Sequence, residues 1–166
     1  MYQVGDVTFY NVYGICKIEG IEEREFHGQT QLYYVLNSTH YPTMKLYHPV
    51  DSKNSNLKKV LSKDAALSLM ECFTQPAGEW IEHSNTRMQQ FKVTLNSNDH
   101  VQIAQLLNTL SRKKIQLETE DKKLSPQYLQ ILQKHSPILC EELAIALHLS
   151  KEVVQKKIDT FTRQAV

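Results

Sequence analysis

The sequence predicts an α+β chain of two domains, a small curled β domain over residues 1–58 and an all-α domain over residues 62–166. Two observations carry this. In the first 60 residues, short runs alternating polar and apolar side chains are broken by Gly, Pro and Asn, the pattern of half-buried strands joined by tight turns. Beyond residue 61 the apolar residues recur at three- and four-residue intervals, with Ser and Pro at helix-starting positions.

The strands follow one another closely. Val4-Gly5-Asp6-Val7-Thr8-Phe9-Tyr10 leads into Gly14-Ile15-Cys16-Lys17-Ile18-Glu19-Gly20, where Cys16 and Ile18 share one face and Lys17 and Glu19 the other. Gly20 breaks that phase and predicts a bulge or bend. His27-Gly28-Gln29 predicts a turn between strands over 22–26 and 31–36; in the latter Leu32, Tyr34 and Leu36 line one face, Tyr33 and Val35 the other. Met44-Lys45-Leu46-Tyr47-His48 is a further strand, closed by Pro49. About five short strands in so small a domain match an SH3-like or Tudor-like barrel, an arrangement that removes most unpaired edges.

The helices are read from their caps. Ser62 caps a helix with the apolar stripe Ala65, Ala66, Leu69, Met70 and Phe73, ending near Gln75 ahead of Pro76 and Gly78. A second helix covers 85–95, with Met88, Phe91 and Leu95 on one side. Ser97 or Asn98 caps a third, carrying Ile103, Leu106, Leu107 and Leu110. Ser125 followed by Pro126 starts a fourth, since proline at the first helical position loses no needed hydrogen bond. Pro137 falls inside it, where a proline costs ~3 kcal/mol, so this helix is predicted to kink or restart. Ser150 caps the last, with Val154, Ile158 and Phe161 facing inward. These make a bundle of about five helices.

Composition narrows the function. With 41% hydrophobic and 22% charged residues, the 166-residue chain can build real cores and is not disordered. The absence of a long apolar run and of a basic-then-apolar N-terminus predicts a soluble, cytoplasmic protein without a membrane partner. Cys16, Cys72 and Cys140 match no zinc or redox spacing and read as intracellular thiols; no metal or cofactor is expected. The seven histidines are dispersed, and no nucleophile elbow or phosphate loop occurs, so neither an enzyme nor a small-molecule substrate is expected.

Particular residues carry a likeness beyond composition. The opening Val4-Gly5-Asp6-Val7 with Tyr10, the strand between Gly14 and Gly20, Ile21-Glu22-Glu23-Arg24, the His27-Gly28 turn, Tyr33-Tyr34-Val35-Leu36 and Pro49-Val50-Asp51 stand in a characteristic order. So do Leu57-Lys58-Lys59-Val60-Leu61-Ser62-Lys63 as a segment joining barrel to helices, then Trp80, Arg87, Leu124-Ser125-Pro126-Gln127-Tyr128-Leu129 and Glu141-Glu142-Leu143-Ala144. Over nearly its whole length the chain resembles the CarD and CdnL family of bacterial transcription regulators, whose RNA polymerase-binding domain also occurs in transcription-repair coupling factors. The resemblance implies a regulator whose barrel docks on the polymerase β subunit by edge-to-edge strand pairing, while its helical domain contacts promoter DNA at the upstream edge of the bubble and stabilises the open complex.

The resemblance also assigns residues. Arg24 matches a family position that contacts polymerase, and Lys45 and Tyr47 lie on the strand that supplies further contacts. An exposed Arg24 paired with Glu22 or Glu25 is the plainer alternative. Trp80, the only tryptophan, stands where the family places a tryptophan at the minor groove; by composition alone a lone tryptophan is more often a core anchor. Arg112-Lys113-Lys114, with Arg87 and Lys92, are candidates for phosphate contacts, or else helix-end cations that answer the macrodipole. Residues 62–166 hold 13 Lys and Arg against 12 Asp and Glu, too even a balance for a free DNA-binding protein. Delivery by the barrel would compensate, because tethering raises the effective concentration.

Two rival functions fit the same residues. Leu143-Ala144-Ile145-Ala146-Leu147 followed by Leu149-Ser150-Lys151-Glu152-Val153-Val154 has the rhythm of a helix-turn-helix, with Gln155, Lys156 and Lys157 as its base-reading candidates in a sequence-specific repressor. The other rival is a polymerase-binding module that makes no DNA contact.

Overall fold

The computed structural model describes residues 1–10, 13–52, 57–97 and 99–164. The chain divides into two compact units, Met1–Leu61 and Ser62–Val166. The first holds strands β1 (Val7–Tyr10), β2 (Gly14–Phe26), β3 (Gln29–Ser38), β4 (Lys45–Pro49) and β5 (Leu57–Lys59). The second holds helices α1 (Lys63–Cys72), α2 (Ser84–Asn96), α3 (His100–Thr119), α4 (Pro126–Leu147) and α5 (Lys151–Gln164). The α+β class and the order of the two halves agree with the sequence.

All ladders of the first unit are antiparallel, in the order β4-β3-β2-β1-β5. The predicted break at Gly20 is a register shift between Ile18 and Gly20, and β2 continues through it as one long strand. His27 and Gly28 both have positive φ, 52° and 76°, and Phe26 pairs with Gln29 across them. Two consecutive left-handed residues make the type I′ loop whose twist suits a hairpin, which explains the His-Gly dipeptide.

Side-chain contacts show that this sheet is curled. In a flat sheet β1 and β4 would lie about 14 Å apart, with two strands between them. Instead Tyr10 of β1 meets His48 of β4, ring centroids 5.3 Å apart, with the Tyr10 hydroxyl 3.4 Å from His48 Nδ1. Tyr2 spans the same core, its amide donating to the Tyr34 hydroxyl and its own hydroxyl to the Leu57 carbonyl. Cys16, Ile18, Tyr34, Leu36 and Leu57 fill the interior. Residues 57–59, expected as a connector, form β5 because Leu57 is buried there and pairs with Tyr10 of β1. The alternation expected for β3 is only partly seen. Tyr33, Tyr34, Val35 and Leu36 are all buried, whereas Leu32, nearer the hairpin tip, is half exposed.

In the second unit Ser62 caps α1 as expected, accepting from the Ala65 amide. Asp99, rather than Ser97, caps α3, its carboxylate taking the amides of Val101 and Gln102 at 2.9 and 3.2 Å. Ser97 closes α2, with its hydroxyl on the Thr94 carbonyl. Asn98 lies outside the described residues. Pro126 opens α4, and His148, left-handed at φ 53°, ends it before the Ser150 hydroxyl caps α5.

Of the two outcomes expected at Pro137, a kink or a restart, the restart does not occur, and α4 runs through the proline. Packing on both sides holds the two halves in one helix. Tyr128 and Leu132 belong to the cluster around Phe91, while Leu139, Cys140 and Leu143 are buried beyond the proline. Gln133, whose carbonyl loses its partner to the proline, is exposed, where water can serve it. Leu69, Phe73, Leu107, Leu110, Leu143, Val154 and Ile158 are buried in the bundle, while Phe161 remains partly exposed.

Candidate functional site

In the β unit, strand register brings the three predicted docking residues onto one sheet face. Arg24 pairs with Gln31, Val35 with Tyr47, and Asn37 with Lys45, so β-strand alternation places Arg24, Tyr33, Val35, Tyr47 and Lys45 on the same side. The Arg24 guanidinium stacks 3.7 Å from the centre of the Tyr47 ring and donates to its hydroxyl at 2.8 Å. It also forks onto one carboxylate oxygen of Glu22, at 3.1 and 3.2 Å, so the surface-pair alternative is present together with the aromatic stack. Lys45 is exposed at the start of β4, which is an edge strand with only β3 beside it. His48 turns to the other face, where burial pulls its imidazole below the ordinary histidine value. The accessible features of this face are therefore a cation, a flat aromatic and a strand edge.

The helical candidates separate sharply. Trp80 lies in the segment between α1 and α2, partly buried, edge-on against Phe91 and Tyr128 at centroid distances of 6.3 and 5.7 Å. Lys113 Nζ stands 5.2 Å from the indole centre, and Arg87 Cζ 4.4 Å. The segment is pinned from α3 as well. Asn108 Nδ2 donates to the Gln75 carbonyl and the Gly78 amide to Thr109 Oγ1. Trp80 is thus neither a free side chain nor a fully buried anchor.

The basic residues do not form one patch. Successive helical positions turn by about 100°, so Arg112, Lys113 and Lys114 point in three directions. Lys113 lies beside Trp80, Lys114 stands 3.8 Å from Glu118, and Lys92 is exposed on α2. Arg112 corrects the sequence expectation. It is 8% exposed, and its guanidinium donates to Asn108 Oδ1 and to the carbonyls of Phe73, Phe161 and Thr162. A guanidinium held by those four acceptors joins the C-terminal ends of α1 and α5 to α3 and is not offered to phosphates. Arg87 is buried too.

Sequence reasoning missed Asn108, Thr109 and Tyr128, which hold the Trp80 segment and its surroundings. A signal existed. Asn108 and Thr109 interrupt the apolar stretch Leu106-Leu107 and Leu110, and buried polar residues inside such a stretch need a specific partner. Of the three base-reading candidates of the helix-turn-helix rival, Gln155 is already bonded, donating to Asp159 and accepting from the Cys140 thiol. Among the described residues no group of three or more His, Cys, Asp or Glu side chains could hold a metal ion, and no helix is long and apolar enough to cross a membrane.

Comparison with known proteins matches both units. The family model of the CarD-like/TRCF RID domain matches residues 2–61, and that of the CarD C-terminal domain matches residues 68–159. Over 167 aligned residues the chain is 25% identical to YdeB of Bacillus subtilis (strain 168), which carries the name of a candidate transcription factor, covering 97% of this chain and 99% of that protein.

Proposed function

The chain belongs to the CarD family of transcription regulators that interact with RNA polymerase, and from that premise we propose that residues 1–58 dock on the polymerase β subunit while residues 62–166 contact promoter DNA at the upstream edge of the bubble. The outcome is a longer-lived open complex, with no chemical step. The observation that carries this is the position of Trp80, a partly exposed indole in edge contact with Phe91 and Tyr128 and flanked by Lys113. An aromatic held by its neighbours can fill a distorted base step, trading the cost of unstacking for contacts with opened DNA. Lys113, Lys114 and Lys92 supply the phosphate contacts in this reading, a modest set that suffices once the barrel has brought the helices to the promoter.

Docking is tested on the β face. Arg24→Glu removes the stack on Tyr47 and places two acidic side chains side by side, Glu22 and the new carboxylate. Polymerase binding should weaken by about tenfold or more, with the circular dichroism of the full chain unchanged, because Arg24 sits on an exposed face. Undiminished affinity in the folded variant would remove Arg24 from the interface.

A further inference from the structure

Arg87 carries the charge expected of a DNA contact next to Trp80, and its surroundings give it another task. The side chain is 8% exposed. Nε donates to the Tyr128 hydroxyl at 2.8 Å, and Nη1 donates to the carbonyls of Ile81 and Glu82, the two residues that follow Trp80. The planar group also lies 4.4 Å from the indole centre and 5.3 Å from the Tyr128 ring centre. One side chain of α2 thus holds the backbone just after Trp80, contacts its ring, and is itself fixed from α4.

The other end of the segment has its own anchor. Asn108 and Thr109 of α3 hold Gln75 and Gly78, just before the tryptophan. At Gly78 a β-carbon would come within 3.1 Å of Thr109 Oγ1, so the backbone is drawn closely onto α3. Trp80 stands between two side-chain clamps. Such a residue is ordered before it meets its target, and ordering completed in advance is not charged against binding.

We propose that Arg87 is a positioning residue, a clamp that sets the orientation of the Trp80 indole for entry into opened DNA and makes no phosphate contact of its own. This deepens the DNA reading given above and rests on it. Lysine cannot replace arginine here, since an ammonium keeps the charge and loses the planar fork that reaches two carbonyls and a hydroxyl together.

The test uses the full chain and a duplex containing an unpaired segment, without polymerase. Trp80 is the only tryptophan, so acrylamide quenching of fluorescence reports on that indole alone. Arg87→Lys should raise quenching about twofold and weaken DNA binding about tenfold, equivalent to about 1.4 kcal/mol, with an unchanged slope of log affinity against log salt. Lys113→Ala, by contrast, should reduce that slope by roughly 0.9. Tyr128→Phe removes only the hydroxyl that Nε holds, and Tyr128 is itself buried, so it tests the clamp should Arg87→Lys fail to fold. It should shift quenching and affinity in the same direction, less strongly, and add nothing to the DNA defect of Trp80→Ala. Unchanged quenching in Tyr128→Phe, or a slope reduced by roughly 0.9 in the charge-removing variant Arg87→Gln, would overturn the clamp. If Trp80→Ala binds this duplex as well as the unaltered chain does, the DNA reading fails, and quenching still decides whether Arg87 orders the indole.

Discussion

Arg112→Ala is expected to destabilise the helical unit by about 3 to 5 kcal/mol, because several buried acceptors lose a charged donor at about 1 to 3 kcal/mol each. The guanidinium is buried and bonded to Asn108 Oδ1 and to the carbonyls of Phe73, Phe161 and Thr162. Phe73 is the C-cap of α1, while Phe161 and Thr162 lie in the last turn of α5. Carbonyls at helix ends lack intrahelical partners and carry the negative end of the macrodipole, so a buried cation serves both. Alanine would leave these groups unsatisfied and open a cavity among α1, α3 and α5. Lysine would recover little, since one ammonium cannot reach four acceptors in the plane that the guanidinium spans. The melting temperature of the helical unit measures this, with a fall of more than ~10 °C expected. A fall of only a degree or two would mean that the pairing contributes little to folding.

Trp80→Ala should act on both stability and function, to different degrees. The indole packs against Phe91 and Tyr128 yet remains partly exposed, so its removal should cost about 2 to 3 kcal/mol, below the span for a fully buried tryptophan. The variant should still fold and still bind polymerase, because the proposed docking face lies on the β unit. Open-complex lifetime should shorten by about tenfold or more, since alanine cannot fill an unstacked base step. Stability and function are separated by a control of matched melting temperature that leaves the surface intact, such as Ile158→Val deep in the bundle, combined with a second core truncation if the first is too mild. If the control shortens the lifetime as much as Trp80→Ala does, loss of folded protein explains the defect and the wedge is refuted.

The strands up to β4 were legible because their signals are local, whereas β5 was read as a connector. The bulge at Gly20 and the turn at His27-Gly28 follow from residues whose backbone behaviour can be read in isolation. Leu32 and Val35 were not legible in the same way. Alternation assigns each a face, but whether a face is covered depends on neighbours distant in sequence, so Val35 is buried and Leu32 is not. Pro137 shows tertiary packing overriding a local rule, because the apolar contacts of Tyr128 on one side and Leu143 on the other outweigh one lost backbone bond. The accessibility of candidate side chains was legible at Lys45, which is exposed. It was misread where burial decides. Arg112 and Arg87 resemble surface cations in sequence, and only the carbonyls gathered around them from other helices reveal their structural work.

The division of labour between the two units is the central claim, and photo-crosslinking within one polymerase–promoter complex tests it most directly. A benzophenone side chain placed at Tyr47 in one sample and at Trp80 in another reports what each position touches. The predicted result is attachment of position 47 to the β subunit and of position 80 to nucleotides at the upstream edge of the bubble. Attachment of position 80 to polymerase subunits alone, with no labelled DNA, would contradict the assignment.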